Sequence, residues 1–89
     1  MSSATVVRRE VDVTAPAGLH ARPAAEFAAT AARFNSDIRL RRRDREADAK
    51  SVLLLLTLDV RQGDRVVVTA EGVDADVAVE TLCRLVEAS

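Results

Sequence analysis

The sequence holds one histidine, His20, within Gly18-Leu19-His20-Ala21-Arg22-Pro23, between residues of strand character and an alanine-rich run of helical character. Upstream, Val11-Asp12-Val13 alternates and Ala15-Pro16-Ala17-Gly18 supplies breakers, which places His20 at or beside a helix N-cap. The first amides of a helix have no internal partner and carry the positive end of its dipole, so an anion such as phosphate is stabilised there. Pro23 falls in the first turn, where its missing N–H breaks no helical bond, and the amides of Ala21 and Arg22 stay free. Arg22 can add a charge-assisted hydrogen bond to the same anion. An imidazole in that place, neutral and with one bare nitrogen, can attack an electrophile. The pattern points to a phosphorylatable histidine, beside the plainer reading of a polar capping residue. With no second histidine and no thiol close in sequence, neither a metal site nor a cofactor is expected.

Eighty-nine residues suffice for one small domain, expected over residues 1–89. The apolar share of 48% and the near balance of 13 basic against 14 acidic residues exclude a disordered chain and imply no polyanionic partner. Cys83 stands alone, so no internal disulfide forms, and the N-terminal residues lack a signal-peptide pattern; a cytoplasmic protein is expected. The longest apolar run, Val52 to Leu56, is far short of the ~20 residues a membrane helix needs.

The elements that must hold His20 follow from periodicity. Thr5 to Val13 reads as a strand with Val7, Val11 and Val13 on one face, interrupted by Arg9. After the His20 turn, Ala24, Phe27, Ala28, Ala31 and Ala32 recur at helical spacing, with Phe34 closing the contact. Ile38 to Arg41 alternates as a second strand, Arg42 to Arg45 reads as a hairpin connection, and Glu46 to Ala49 returns. Ser51 can cap a short helix from Val52 to Leu58, whose leucines outnumber what one stripe can bury; some of Val52, Leu53, Leu54 and Leu56 must face solvent or a partner. Arg65 to Ala70 forms the last strand with Val66, Val68 and Ala70 inward. A final helix from about Asp74 to Glu87 buries Ala78, Val79, Leu82 and Leu85 or Val86, with Cys83 bordering the stripe. This βαββαβα order implies an α+β two-layer open-faced sandwich: a four-stranded antiparallel sheet with three helices on one face.

With the elements placed, the chain resembles the HPr family, the histidine-containing phosphocarriers of the bacterial phosphoenolpyruvate:sugar phosphotransferase system. Three stretches carry the likeness: Thr14 to Ala25, Ala49-Lys50-Ser51, and Thr69-Ala70-Glu71-Gly72. The resemblance implies that Nδ1 of His20 takes a phosphoryl group from a phosphohistidine on Enzyme I and passes it to EIIA domains of sugar permeases. It implies that Arg22 and the backbone of Ala21 and Arg22 stabilise the phosphate, and that Val52, Leu53, Leu54 and Leu56 form the docking face. Ser51 matches the position that a serine kinase phosphorylates in some branches of the family. A monomeric carrier, neither a stand-alone enzyme nor inserted in a membrane, is expected.

Several residues depart from the family pattern. Ala17 lies where many relatives carry a polar Ser or Asn, and Leu54 and Leu56 where Gly, Lys, Gln or Met are frequent. Asp59 replaces a frequent helix-ending Gly, and Arg43-Asp44 lacks the glycine of a tight hairpin turn. The altered docking residues leave a second reading open, a regulatory relative of nitrogen or catabolite-control type that signals its phosphorylation state through protein binding. A third reading, a nucleic-acid module using Arg39 to Arg45, is disfavoured because no aromatic side chains accompany the arginines; a charged sheet edge accounts for them.

Overall fold

The computed structural model describes residues 5–87. Its elements are β1 (Val6–Asp12), α1 (Ala21–Ala31), β2 (Asp37–Arg42), β3 (Arg45–Asp48), α2 (Val52–Thr57), β4 (Arg65–Glu71) and α3 (Ala75–Glu87). All strand pairings are antiparallel, in the order β1-β4-β2-β3. The expected two-layer architecture is thus present, while residues 1–4 and 88–89 of the expected domain lie outside the described residues.

Strand alternation sets the core. Val66, Val68 and Ala70 of β4 and Ile38 and Leu40 of β2 are fully buried, whereas Arg65 and Arg39 on the opposite face are exposed. The buried face receives Phe27, Ala24, Ala28 and Ala31 of α1 and Ala75, Ala78, Val79, Leu82 and Val86 of α3. The small alanines of α3 let it lie close to β1 and β4, and Phe27 of α1 fills the remaining volume, its burial worth about 2–3 kcal/mol. α3 covers β1 and β4, and α1 packs against α2 and α3.

Four details differ from the sequence reading. Ala32 is the exposed C-cap of α1 and not a member of its buried stripe, because the helix ends at Ala31 and the chain turns toward Asn35. Cys83 lies inside the α3 stripe and not at its border, and of the two expected alternatives, Leu85 or Val86, it is Val86 that completes the stripe. The hairpin connection narrows to Arg43 and Asp44, since Arg42 and Arg45 already pair; Arg43 itself adopts the left-handed φ of 58° in place of a glycine. Arg42 is no part of a solvated edge: its Nε donates to Asp64 Oδ2 at 2.7 Å and its Nη1 to the Leu58 carbonyl at 3.3 Å, both half-buried.

Candidate functional site

His20 is the N-cap of α1, with extended backbone (φ −105°, ψ 152°), and its side chain makes no capping hydrogen bond. Its position is set by the connection that precedes it. Gly18 takes a φ of 58°, and a Cβ there would run into the Val60 carbonyl and lie 2.9 Å from Arg61 Cα. Only a glycine lets the two backbones approach so closely. The contact is sealed by the Leu19 amide, which donates to the Val60 carbonyl at 3.0 Å, and by Leu19 itself, buried in the core. Gly18 and Leu19 therefore hold His20 against the segment between α2 and β4.

That segment is itself tied at several points. Asp64 accepts from the Arg61 amide at 2.8 Å and from Arg42, and the Arg61 amide followed by the Arg42 side chain helps hold its carboxyl below the ordinary carboxylate range. The Val13 amide donates to the Asp64 carbonyl, and the Gly63 amide to the Val13 carbonyl, each at 2.8 Å. Leu58 and Val60 are both buried, which anchors the start of the segment in the core on either side of Asp59.

Ala21, the first residue of α1, has a φ of 44°, a conformation an alanine adopts only at a cost of about 1–2 kcal/mol. Strain of this kind is concentrated at functional sites. Neither the Ala21 nor the Arg22 amide donates to a backbone carbonyl among the described residues, and the Arg22 side chain is exposed without an ion pair among them. The structure thus brings His20, Ala21 and Arg22 together at one helix end, as the spacing implies. The site is open, with no cavity formed among the described residues.

Sequence reasoning missed one neighbour. Asp59 Oδ1 lies 3.4 Å from His20 Nε2, both side chains about half exposed. Its other oxygen, Oδ2, accepts from Arg61 Nη2 at 2.8 Å, and that hydrogen bond, ahead of the charges of Arg61 and His20, lowers the Asp59 carboxyl from its ordinary value. Asp59 has a φ of 53°, the left-handed turn that ends α2. The signal was present in the sequence: an aspartate where a helix-ending glycine is frequent.

Ser51 caps α2, its Oγ accepting from the Leu54 amide at 3.2 Å. Leu55 and Leu58 point inward, whereas Leu53 is 76% exposed, and Val52, Leu54 and Leu56 are exposed with it. The six-residue helix has one buried stripe and an apolar outer face, as its leucine count demands.

A family model described as the PTS HPr component phosphorylation site matches residues 7–88. The chain belongs to the HPr family of phosphocarriers. It is 42% identical over 79 residues to the phosphocarrier protein HPr of Vibrio cholerae, covering 89% of this chain and 93% of the relative. It is 37% identical to the phosphocarrier protein NPr of Shewanella violacea, covering 94% and 92%. Among solved structures, HPr from Bacillus anthracis superposes with a TM-score of 0.89 at 37% identity, covering 91% of this chain and 96% of that one. The HPr-like sequence also occurs inside longer proteins: the chain spans 15% of the length of the phosphoryl donor subunit DhaM of a PEP-dependent dihydroxyacetone kinase from Providencia stuartii, at 42% identity over 81% of this chain.

Arg39 is engaged by Asp37 and Glu46, and Arg42 by Asp64, so the arginines expected of a nucleic-acid module are in part committed to intramolecular pairs. No helix among the described residues is long and apolar enough to cross a membrane.

Proposed function

We propose that His20 carries the phosphoryl group. Its Nδ1 lone pair attacks the phosphorus of the phosphohistidine on Enzyme I, the donor P–N bond breaks with its electron pair returning to the donor nitrogen, and the new P–N bond forms on His20. Transfer to an EIIA domain reverses the same step. The supporting observation is the N-cap position of His20 beside the unengaged amides of Ala21 and Arg22, with the Arg22 guanidinium in the first turn to meet the phosphate charge. Phosphoryl transfer needs mainly positioning and electrostatic stabilisation, which a helix end supplies without a deep pocket.

In this reading the exposed apolar face of α2, Val52, Leu53, Leu54 and Leu56, docks both partners, and the protein works as a cytoplasmic monomer. A phosphate on Ser51 would disturb the oxygen that caps α2 and place about two negative charges beside the docking leucines, so a serine kinase acting there would weaken partner binding. The test is phosphorylation by phosphoenolpyruvate and Enzyme I, followed by intact mass. One acid-labile phosphate on the parent and none on His20→Ala is expected; an equal adduct on His20→Ala removes the assignment. Leu53→Glu should slow transfer while leaving the melting temperature unchanged.

The regulatory reading is favoured by the likeness to NPr along nearly the whole chain and by the added leucines at positions 54 and 56. Acceptance rates from a sugar-type and a nitrogen-type Enzyme I separate the two: a preference for the nitrogen-type donor supports the regulatory role.

A further inference from the structure

Asp59 has no part in the phosphocarrier step as derived above, yet it is the one carboxylate beside the ring of His20 among the described residues. Its two oxygens are divided. Arg61 Nη2 holds Oδ2 at 2.8 Å, and the Oδ1 left over lies 3.4 Å from His20 Nε2. The backbone supports the same placement at a cost, since Asp59 adopts a left-handed φ of 53° that glycine would take without strain. The flanking segment is fixed by the Val60 carbonyl on the Leu19 amide and by the Asp64 contacts to Arg42 and Arg61.

We propose that Asp59 is a positioning residue for phosphoryl transfer: its carboxylate keeps the His20 proton on Nε2, leaving Nδ1 bare as the acceptor, and balances the charge the ring gains when phosphorylated. The inference rests on the carrier reading of His20. A carboxylate 3.4 Å from Nε2 favours electrostatically the tautomer with the proton on that nitrogen. When the Nδ1 lone pair forms the new P–N bond, the Nε2 proton stays in place and the ring acquires a positive charge, next to the Asp59 carboxylate. Arg61 holds that carboxylate in orientation from one side, and Arg22 stands on the helix side to meet the phosphoryl oxygens.

Because His20 is the only histidine, the ring nitrogens of uniformly 15N-labelled protein report this site alone. The measurement is the tautomer ratio from long-range 1H–15N spectra of the neutral ring, alongside the initial rate of phosphate acceptance from phospho-Enzyme I at low salt. Asp59→Gly relieves the backbone and removes the carboxylate, so its melting temperature should match or exceed the parent's. In it the Nε2–H fraction should fall and acceptance should slow by about twofold to fivefold, the range of an exposed charge pair, with the gap narrowing as salt rises. Asp59→Glu, which restores a carboxylate, should recover part of both. An unchanged tautomer ratio, or an unchanged acceptance rate, in Asp59→Gly overturns the proposal. Loss of the carrier reading looks different: a parent that takes no phosphate refutes that reading, while the tautomer ratio still decides where Asp59 holds the ring.

Discussion

The starts of α1 and α2 are built in opposite ways. At α2, Ser51 turns its hydroxyl onto the Leu54 amide and satisfies the helix end from within the chain. At α1, the cap residue is His20, whose side chain makes no such bond, and the first helical residue, Ala21, sits in a left-handed conformation. An internally satisfied end stabilises its helix, whereas an unsatisfied one is stabilised by whatever anion arrives. The helix start that is poorer for stability is thus the one suited to carrying a phosphate.

Exchanging the two kinds of cap gives the largest expected effect. His20→Ser should abolish the acid-labile phosphate seen by intact mass, yet raise stability in urea by about 0.5–1 kcal/mol as the new hydroxyl caps α1. A fall in stability would show that the α1 start is not under-capped. Next, Gly18→Ala strikes the support of the active end, because the added methyl meets the Val60 carbonyl in a backbone that disfavours side chains. A loss of about 2–4 kcal/mol is expected from denaturant melts, with slowed phosphate acceptance. Ser51→Ala removes the internal cap of α2 and should cost about 1 kcal/mol by the same melts while leaving a phosphate on His20.

The smallest effect sharpens the contrast at a third helix start. Asp74, just before α3, accepts from the Ser36 hydroxyl and from the Asn35 and Ser36 amides, and the Ser36 hydroxyl bond, followed by that of the Asn35 amide, lowers its carboxyl from the ordinary value. A carboxyl depressed in the folded state contributes stability that is complete above its unfolded value of about 3.9 and is lost as pH falls through the folded one. Asp74→Asn should therefore flatten the acid side of the stability profile below about pH 4. A profile as steep as the parent's would assign that slope to Asp59 and Asp64, whose carboxyls are lowered in the same direction.

Much of this was legible in local pattern. Alternation over Ile38 to Arg41 and over Arg65 to Ala70, helical spacing from Ala24 to Ala31, and a serine before five apolar residues each constrain the chain within a few positions. The same reasoning places His20 at a helix end and turns the surplus leucines of α2 outward, because a short helix can bury only one stripe.

What local pattern does not carry is how distant segments meet. The order β1-β4-β2-β3, the inward seat of Cys83, and the Arg42 to Asp64 pair depend on which faces pack, and periodicity is blind to that. His20 and Asp59 meet because Gly18 admits the Val60 carbonyl and the Leu19 amide binds it. The sequence by itself determined the elements and the place of His20 at a helix end, since these rest on residues within a turn of one another. Only the tertiary structure decided which carboxylate faces the imidazole, since that follows from the backbone contact between two loops.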